Sequence, residues 1–133
     1  MTENGLITLR SRHAPGETMS RFEAEVKAKG LTIFARIDHA AGAAAVGLPL
    51  RPTELLVFGN AKGGTPLMQA VQTIGIDLPL KVLVWQDASG DTWLSYNDPS
   101  WLAKRHRPTR PRPRFGPWRP RSTRWRGRRR RSG

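Results

Sequence analysis

The sequence predicts an α+β domain built on a mainly antiparallel sheet with helices packed on one face. Segments of period two alternate with segments of helical period, in the order β-α-β-(α)-β-α-β-β-α. The last two strands, Leu80 to Trp85 and Thr92 to Tyr96, are separated only by a turn at Asp87-Ala88-Ser89-Gly90-Asp91. Such a turn signals a hairpin, so this pair runs antiparallel. Between Val57 and Asp98 the chain packs two Gly- or Pro-marked helix starts, an Ile-Asp-Leu-Pro turn and that hairpin into 42 residues. So many specified turns in so short a span imply one compact fold with helices segregated from a sheet.

The elements follow in order. Leu6, Thr8 and Arg10 alternate with Ile7, Leu9 and Ser11, which marks a short strand. Pro15 opens a helix, because its missing N–H falls where no intrahelical partner exists. Met19, Phe22 and Val26 form one apolar stripe, and Glu23–Lys27 and Glu25–Lys29 are i,i+4 pairs of the favourable polarity. Gly30 ends the helix as a left-handed cap, and Leu31 to Ile37 alternates as a second strand. Asp38 to Gly47 is dominated by small residues and reads as a short helix, with a tight loop as the alternative. Pro49 and Pro52 force an extended approach to a strand from Thr53 to Phe58. That strand is apolar from Leu55 onward and is expected at the centre of the sheet. Thr65 and Pro66 read as N-cap and first residue of a helix. Leu67, Met68, Val71 and Ile74 give its buried side, and Gly75 its end. Asp98-Pro99 starts a last helix through Arg105, which Pro108 cuts short.

Charge divides the chain at His106. Residues 1–106 carry 11 Lys+Arg and 10 Asp+Glu, a net of +1, whereas residues 107–133 carry 12 Arg and no acid, a net of +12. The first 106 residues therefore form the one domain, and the high isoelectric point belongs to the tail. The chain has no cysteine, which excludes disulfides, thiolate catalysis and Cys-type zinc sites. The N-terminus lacks the basic and apolar regions of a secretory signal. No apolar run approaches the ~18–20 residues of a membrane span. A cytoplasmic protein without a membrane segment is the expectation.

Several motifs resemble those of the bacterial domain-of-unknown-function family 302 (DUF302). They are Phe58-Gly59-Asn60, Gly64-Thr65-Pro66-Leu67-Met68, Asp77-Leu78-Pro79-Leu80 and Ser95-Tyr96-Asn97-Asp98-Pro99, with Asp38-His39-Ala40 and Arg51-Pro52-Thr53 fitting as well. The resemblance covers about residues 6–106. It implies a curved antiparallel sheet similar in architecture to the TATA-binding-protein fold, and often a dimer. It implies no activity, and likeness of fold to a DNA-binding protein is only analogy. Family members usually continue the last helix with Ala- and Leu-rich sequence, whereas here the chain turns at Arg107 to Arg, Pro, Gly and Trp.

Two origins for residues 107–133 stand side by side. One is a disordered basic arm, in which Arg112, Arg114, Arg124 and Arg128 neutralise phosphates while Trp118 and Trp125 stack on bases. The other is a frameshift product, since Arg, Pro, Gly and Trp come from GC-rich codons. The gene read in another frame past His106 would then encode an amphipathic Ala/Leu-rich helix.

Candidate sites are few. Gly59-Asn60-Ala61-Lys62-Gly63-Gly64-Thr65 leads into a helix N-terminus, where glycines admit close backbone approach, the helix end favours anions and Lys62 adds charge. It is not a Walker loop, because Lys62 precedes the last two glycines. Asp38-His39 offers either an oriented base or a turn in which Asp38 caps the next helix. Tyr96 and Asn97 are candidates for a pocket wall, and Asp98 for a cap. Asp77 is first a turn residue. His13 and His106 are lone histidines with no second ligand in sight, so no metal and no cofactor are expected. Trp85 and Trp93 fall on paired strands, as core or dimer contacts. The leading expectation is a non-catalytic homodimer that binds a small anionic ligand at Asn60, Lys62, Gly63, Gly64 and Thr65, with His39, Tyr96 and Asn97 nearby. The alternatives are an enzyme using His39 with Asp38 or Tyr96, and a nucleic-acid binder acting through the tail.

Overall fold

The computed structural model describes residues 4–107. The readings placed on Arg112, Arg114, Trp118, Arg124, Trp125 and Arg128 lie outside the described residues. Five strands, β1 (Leu6–Ser11), β2 (Thr32–Asp38), β3 (Thr53–Gly59), β4 (Leu80–Gln86) and β5 (Thr92–Asn97), form one sheet in the order β1-β5-β4-β3-β2. Every neighbouring pair is antiparallel. The helices are α1 (Pro15–Ala28), α2 (His39–Ala45), α3 (Ala61–Ala70) and α4 (Pro99–Arg105), with a 3-10 helix at Gln72–Asp77. The expected order of elements and the α+β class both hold. β3 is an interior strand as expected, but the middle of the sheet is β4.

α1 packs across β2, β3, β4 and β5. Its stripe residues Met19 and Val26 join Leu56, Phe58, Val82 and Val84 in the buried core. Phe22 meets Phe58 edge-on, with ring centroids 5.4 Å apart and planes at 74°. The helix begins at Pro15 and ends in a Schellman arrangement: Leu31 N–H donates to Val26 O at 3.1 Å and Gly30 N–H to Lys27 O at 2.9 Å. Gly30 takes φ +78° there, a value that glycine alone adopts without cost. Of the two predicted helix pairs, Glu23–Lys27 forms at 3.5 Å. Glu23 also takes Arg36 Nη1 at 2.8 Å, and Arg36 Nε reaches Glu54 at 2.6 Å, so this ion cluster ties α1 to the β2–β3 edge. The hydrogen bond from Arg36 holds the Glu23 carboxyl below its usual range.

On the sheet face away from α1, Trp85 and Trp93 stack with centroids 6.2 Å apart and planes at 27°. Arg10 lies over Trp93 at 5.6 Å. Each indole N–H is satisfied: Trp85 Nε1 donates to Ser95 Oγ and Trp93 Nε1 to Asp87 Oδ2, both at 2.9 Å. Asp87 Oδ1 also accepts from the N–H groups of Ser89 and Asp91, which closes the predicted hairpin turn.

The third helix departs from the sequence expectation. It starts four residues before Thr65, capped by Asn60, whose Oδ1 accepts from Gly63 N–H at 2.6 Å. Thr65 and Pro66 lie inside it. The Asn60 cap, which the sequence reading did not single out, prevails over Thr65 although Pro66 then costs the bond to the Lys62 carbonyl. The α-helical part stops at Ala70, and Val71 breaks it with φ −141° and ψ 98°. Gly75 therefore does not end an α-helix. It sits against Met68, whose Sδ would lie 3.2 Å from a Cβ at this position.

Candidate ligand-binding cavities

Two cavities open at the end of the sheet where β3 leaves and β4 begins. The first, of about 480 Å³, lies between the start of α3, the 3-10 segment and the Phe34 end of β2. The sequence builds it by withholding side chains. Gly64 leaves the first turn of α3 bare toward Leu78 and Met68, and Gly59 leaves the end of β3 bare toward Pro79. A β-bulge between Ile33 and Ala35 leaves Phe34 54% exposed at the cavity wall. The lining is apolar except for Asn60 and Thr65. Asn60 Oδ1 takes the Gly63 N–H and Asn60 O takes that of Gly64 at 3.0 Å. The N–H groups of Ala61 and Lys62 are left without an intrahelical acceptor, as for the first residues of any helix.

The second cavity, of about 390 Å³, shares Leu31 and Leu80 with the first. Phe22, Val26, Phe58 and Val82 form its floor, while Glu25, Lys29, Asp77, Lys81, Tyr96 and Asn97 supply its polar groups. Lys81 Nζ donates to Pro79 O at 3.0 Å.

The predicted site residues fall into three places. Asn60, Gly63, Gly64 and Thr65 line the first cavity, while Lys62 is not among its lining residues. Tyr96 and Asn97 line the second. His39 lines neither: it is exposed at the start of α2, and Asp38 Oδ1 beside it caps the helix by accepting from Ala41 N–H at 2.9 Å. His39, Asp38 and Tyr96 therefore do not converge on one pocket. Asp98 caps α4 through Ser100, whose N–H and Oγ both reach its Oδ1 at 2.9 Å, and the backbone bond in particular depresses its pKa.

One polar cluster had no signal in the sequence. His106 is only 8% exposed, and its Nε2 meets Asp77 Oδ2 at 2.5 Å while its Nδ1 meets Thr73 Oγ1 at 3.1 Å. Arg105 Nη1 reaches the same carboxylate at 3.2 Å, and the Arg105 Cζ lies 5.9 Å from the centroid of the Trp101 ring. The cluster pins the end of α4 to the 3-10 segment. Its members are 29 and 33 residues apart in sequence, beyond the reach of any local periodicity. Among the described residues no three His, Cys, Asp or Glu side chains group as metal ligands, and no helix is long and apolar enough to cross a membrane.

Comparison with known proteins places this geometry in a family. The chain is 53% identical over 104 residues to "Fluoride-specific ion channel FluC 1" of Brucella suis biovar 1 (strain 1330), a match covering 78% of this chain and 41% of that protein. The protein of the same name from Brucella abortus biovar 1 (strain 9-941) is also 53% identical over 104 residues, which make up 38% of its length. The chain thus spans about two fifths of the curated relatives it matches. An uncharacterised conserved DUF302 protein of Bacillus stearothermophilus, known from a crystal structure, superposes with a TM-score of 0.69 at 22% identity, covering 76% of this chain and 79% of that one. That likeness shows the shared fold. The family model for the domain of unknown function DUF302 matches residues 7–111, and the chain belongs to the DUF302 family.

Proposed function

We propose that this chain is a cytoplasmic, non-catalytic binding module whose ligand enters the cavity at the start of α3. The single observation that carries this reading is where the family motifs fall. Gly59-Asn60, Gly64-Thr65-Leu67-Met68 and Leu78-Pro79-Leu80 come from three separate stretches and line one cavity. Its volume of about 480 Å³ lies within the ~300–1,000 Å³ of small-molecule sites. A wall that is apolar but for Asn60 and Thr65 suits the apolar length of a ligand whose polar or anionic end lies outside this cavity. This carries forward the sequence expectation of a small anionic ligand near Asn60 to Thr65 and adds an apolar part to it.

The test uses 1-anilinonaphthalene-8-sulfonate, an apolar probe with one anionic group. A Cβ at Gly64 would stand 3.7 Å from Leu78 Cδ1 and 3.8 Å from Met68 Cε, ordinary contacts, so a longer side chain there projects into the cavity without disturbing the helix. Gly64→Leu should abolish the shifts that the probe induces in the methyl resonances of Met68 and Leu78, a local readout blind to anions held by the arginines of residues 107–133. An unchanged titration discards the site. We place a second copy of the chain on the sheet face that carries Trp85 and Trp93, since aromatic surfaces carry such interfaces. Sedimentation showing a monomer at all concentrations would remove that part of the reading.

The comparisons favour a second role beside the first. Relatives matched over only 38–41% of their length bear the name of a fluoride channel. On this reading the module serves alongside an ion channel in the membrane. Deleting its gene should sensitise the cells to fluoride, with rescue by the chain alone; unaltered growth in fluoride would sink this role. Nucleic-acid binding rests on the tail alone. Competition with salt on a chain ended at His106, against the full chain, would confine RNA affinity to the tail or transfer it to the domain.

A further inference from the structure

We infer that the ligand is a single-chain anionic amphiphile: its alkyl chain passes between Leu31 and Leu80 from one cavity into the other, and its head lies between Lys29 and Lys81. The inference rests on the reading of the α3 cavity as a binding site and adds the chemical class. The two cavities adjoin, because Leu31 and Leu80 line both. Leu80 is 42% exposed at this junction, an apolar surface uncovered where a chain would cross it. The α3 cavity has no ionisable side chain in its lining, so it offers an alkyl chain no charge to desolvate.

The second cavity has the opposite character at its rim. Asp77 is already answered by His106 at 2.5 Å and Arg105 at 3.2 Å. Lys81 donates only to a backbone carbonyl, and Lys29 meets no carboxylate among the described residues. Glu25 is the one carboxylate on this rim without a cationic partner among the described residues. Two cations therefore stand against one uncompensated acid, and the balance favours an anionic head. Tyr96 and Asn97 line the same rim and add hydrogen-bonding groups. Lysine is a compact point charge on an apolar stem, which suits a carboxylate or phosphate monoester lying over apolar floor.

The experiment titrates the full chain, below micelle-forming concentrations, with dodecanoate, dodecyl phosphate and dodecanol. Because the arginines of residues 107–133 attract any anion, the readout must be local: the amide resonances of Gly64, in the first cavity, and Asn97, in the second. We expect both resonances to shift together, and at least one anionic probe to bind about tenfold more tightly than the alcohol, the scale of two partly exposed charge contacts. Lys29→Gln with Lys81→Gln should bring that probe down to the affinity of dodecanol and leave dodecanol unchanged. From octanoate to dodecanoate the affinity should rise about fourfold per methylene. The stronger of the two anionic probes then tells a carboxylic acid from a phosphate monoester. Equal affinity for acid, phosphate and alcohol, or a preference that survives the double substitution, overturns the head assignment and leaves the α3 cavity standing. Shifts at Gly64 without Asn97 overturn the path of the chain and leave the α3 cavity standing. No shift at Gly64 with any probe overturns the cavity reading, and this inference with it.

Discussion

Gly63 and Gly64 are neighbours in the first turn of α3, yet replacing each by alanine should have different consequences. In a helix, alanine is favoured over glycine by about 1 kcal/mol, from backbone entropy. At Gly64 nothing opposes that gain: an added Cβ meets Leu78 and Met68 at 3.7 and 3.8 Å. At Gly63 the Cβ would stand 3.1 Å from Asn60 Oδ1, the atom that caps the helix through a 2.6 Å bond to the Gly63 N–H. Loss of an Asn cap costs about 1 kcal/mol, which offsets the propensity gain. Gly64→Ala should therefore raise the melting temperature by roughly 4–8 °C, the shift of about 1 kcal/mol in a domain of this size. Gly63→Ala should leave it unchanged or lower it. In an Asn60→Ala background the cap is already gone, and Gly63→Ala should recover about 1 kcal/mol. Thermal denaturation followed by far-UV circular dichroism reads all four variants against the unsubstituted chain. Equal stabilisation by both alanines would refute the role of Asn60. Stabilisation by neither would mean that the helix begins at Thr65 after all.

Other perturbations follow the same logic. Gly5 sits at φ +78° with a Cβ position that overlaps the Trp101 ring, so Gly5→Ala should destabilise by more than the ~1 kcal/mol of the strained backbone alone, read by urea denaturation. Asp77→Asn weakens the bonds to His106 and Arg105 and should cost about 2 kcal/mol, the range of hydrogen bonds to charged groups, with the largest loss of amide-exchange protection in α4. The Glu23 carboxyl is held below its ordinary 4.5 chiefly by the Arg36 hydrogen bond. A depressed carboxylate stabilises fully above its unfolded value and loses that contribution as pH falls through the folded one. Melting temperature should thus decline below about pH 4.5, and Glu23→Gln should flatten the upper part of that decline. Asp87 and Asp98, lowered from 3.8 by the Trp93 and Ser100 hydrogen bonds, extend the decline to lower pH.

Most of the fold was legible because its signals are local. Pro15 and Gly30 bracket α1 within one turn of each end, and the Asp87–Asp91 turn pairs β4 with β5 through bonds that close inside five residues. The site was legible only in part. Asn60, Gly63, Gly64 and Thr65 were singled out and do line a cavity, but Lys62, chosen for its charge, does not. Tyr96 and Asn97 belong to the adjoining cavity, and His39 to neither. Spacing along a chain tells which residues share a turn. It does not tell which elements meet across an empty volume.

The sequence alone determined the α+β class, the order of the elements, the hairpin and the division of charge at His106. Each rests on hydrophobic period, turn chemistry or composition, and these act over a few residues. Tertiary structure decided where α3 starts, that His106 is buried between Asp77 and Thr73, and that β2, α3 and β4 enclose a cavity. The start of α3 went to Asn60, whose side chain accepts the Gly63 N–H at 2.6 Å, and not to the Thr65-Pro66 pair read from the sequence. The His106 cluster and the cavities depend on contacts between distant segments. Such contacts form only when the sheet brings together the ends of β3, β4 and β5, positions that no short-range pattern encodes.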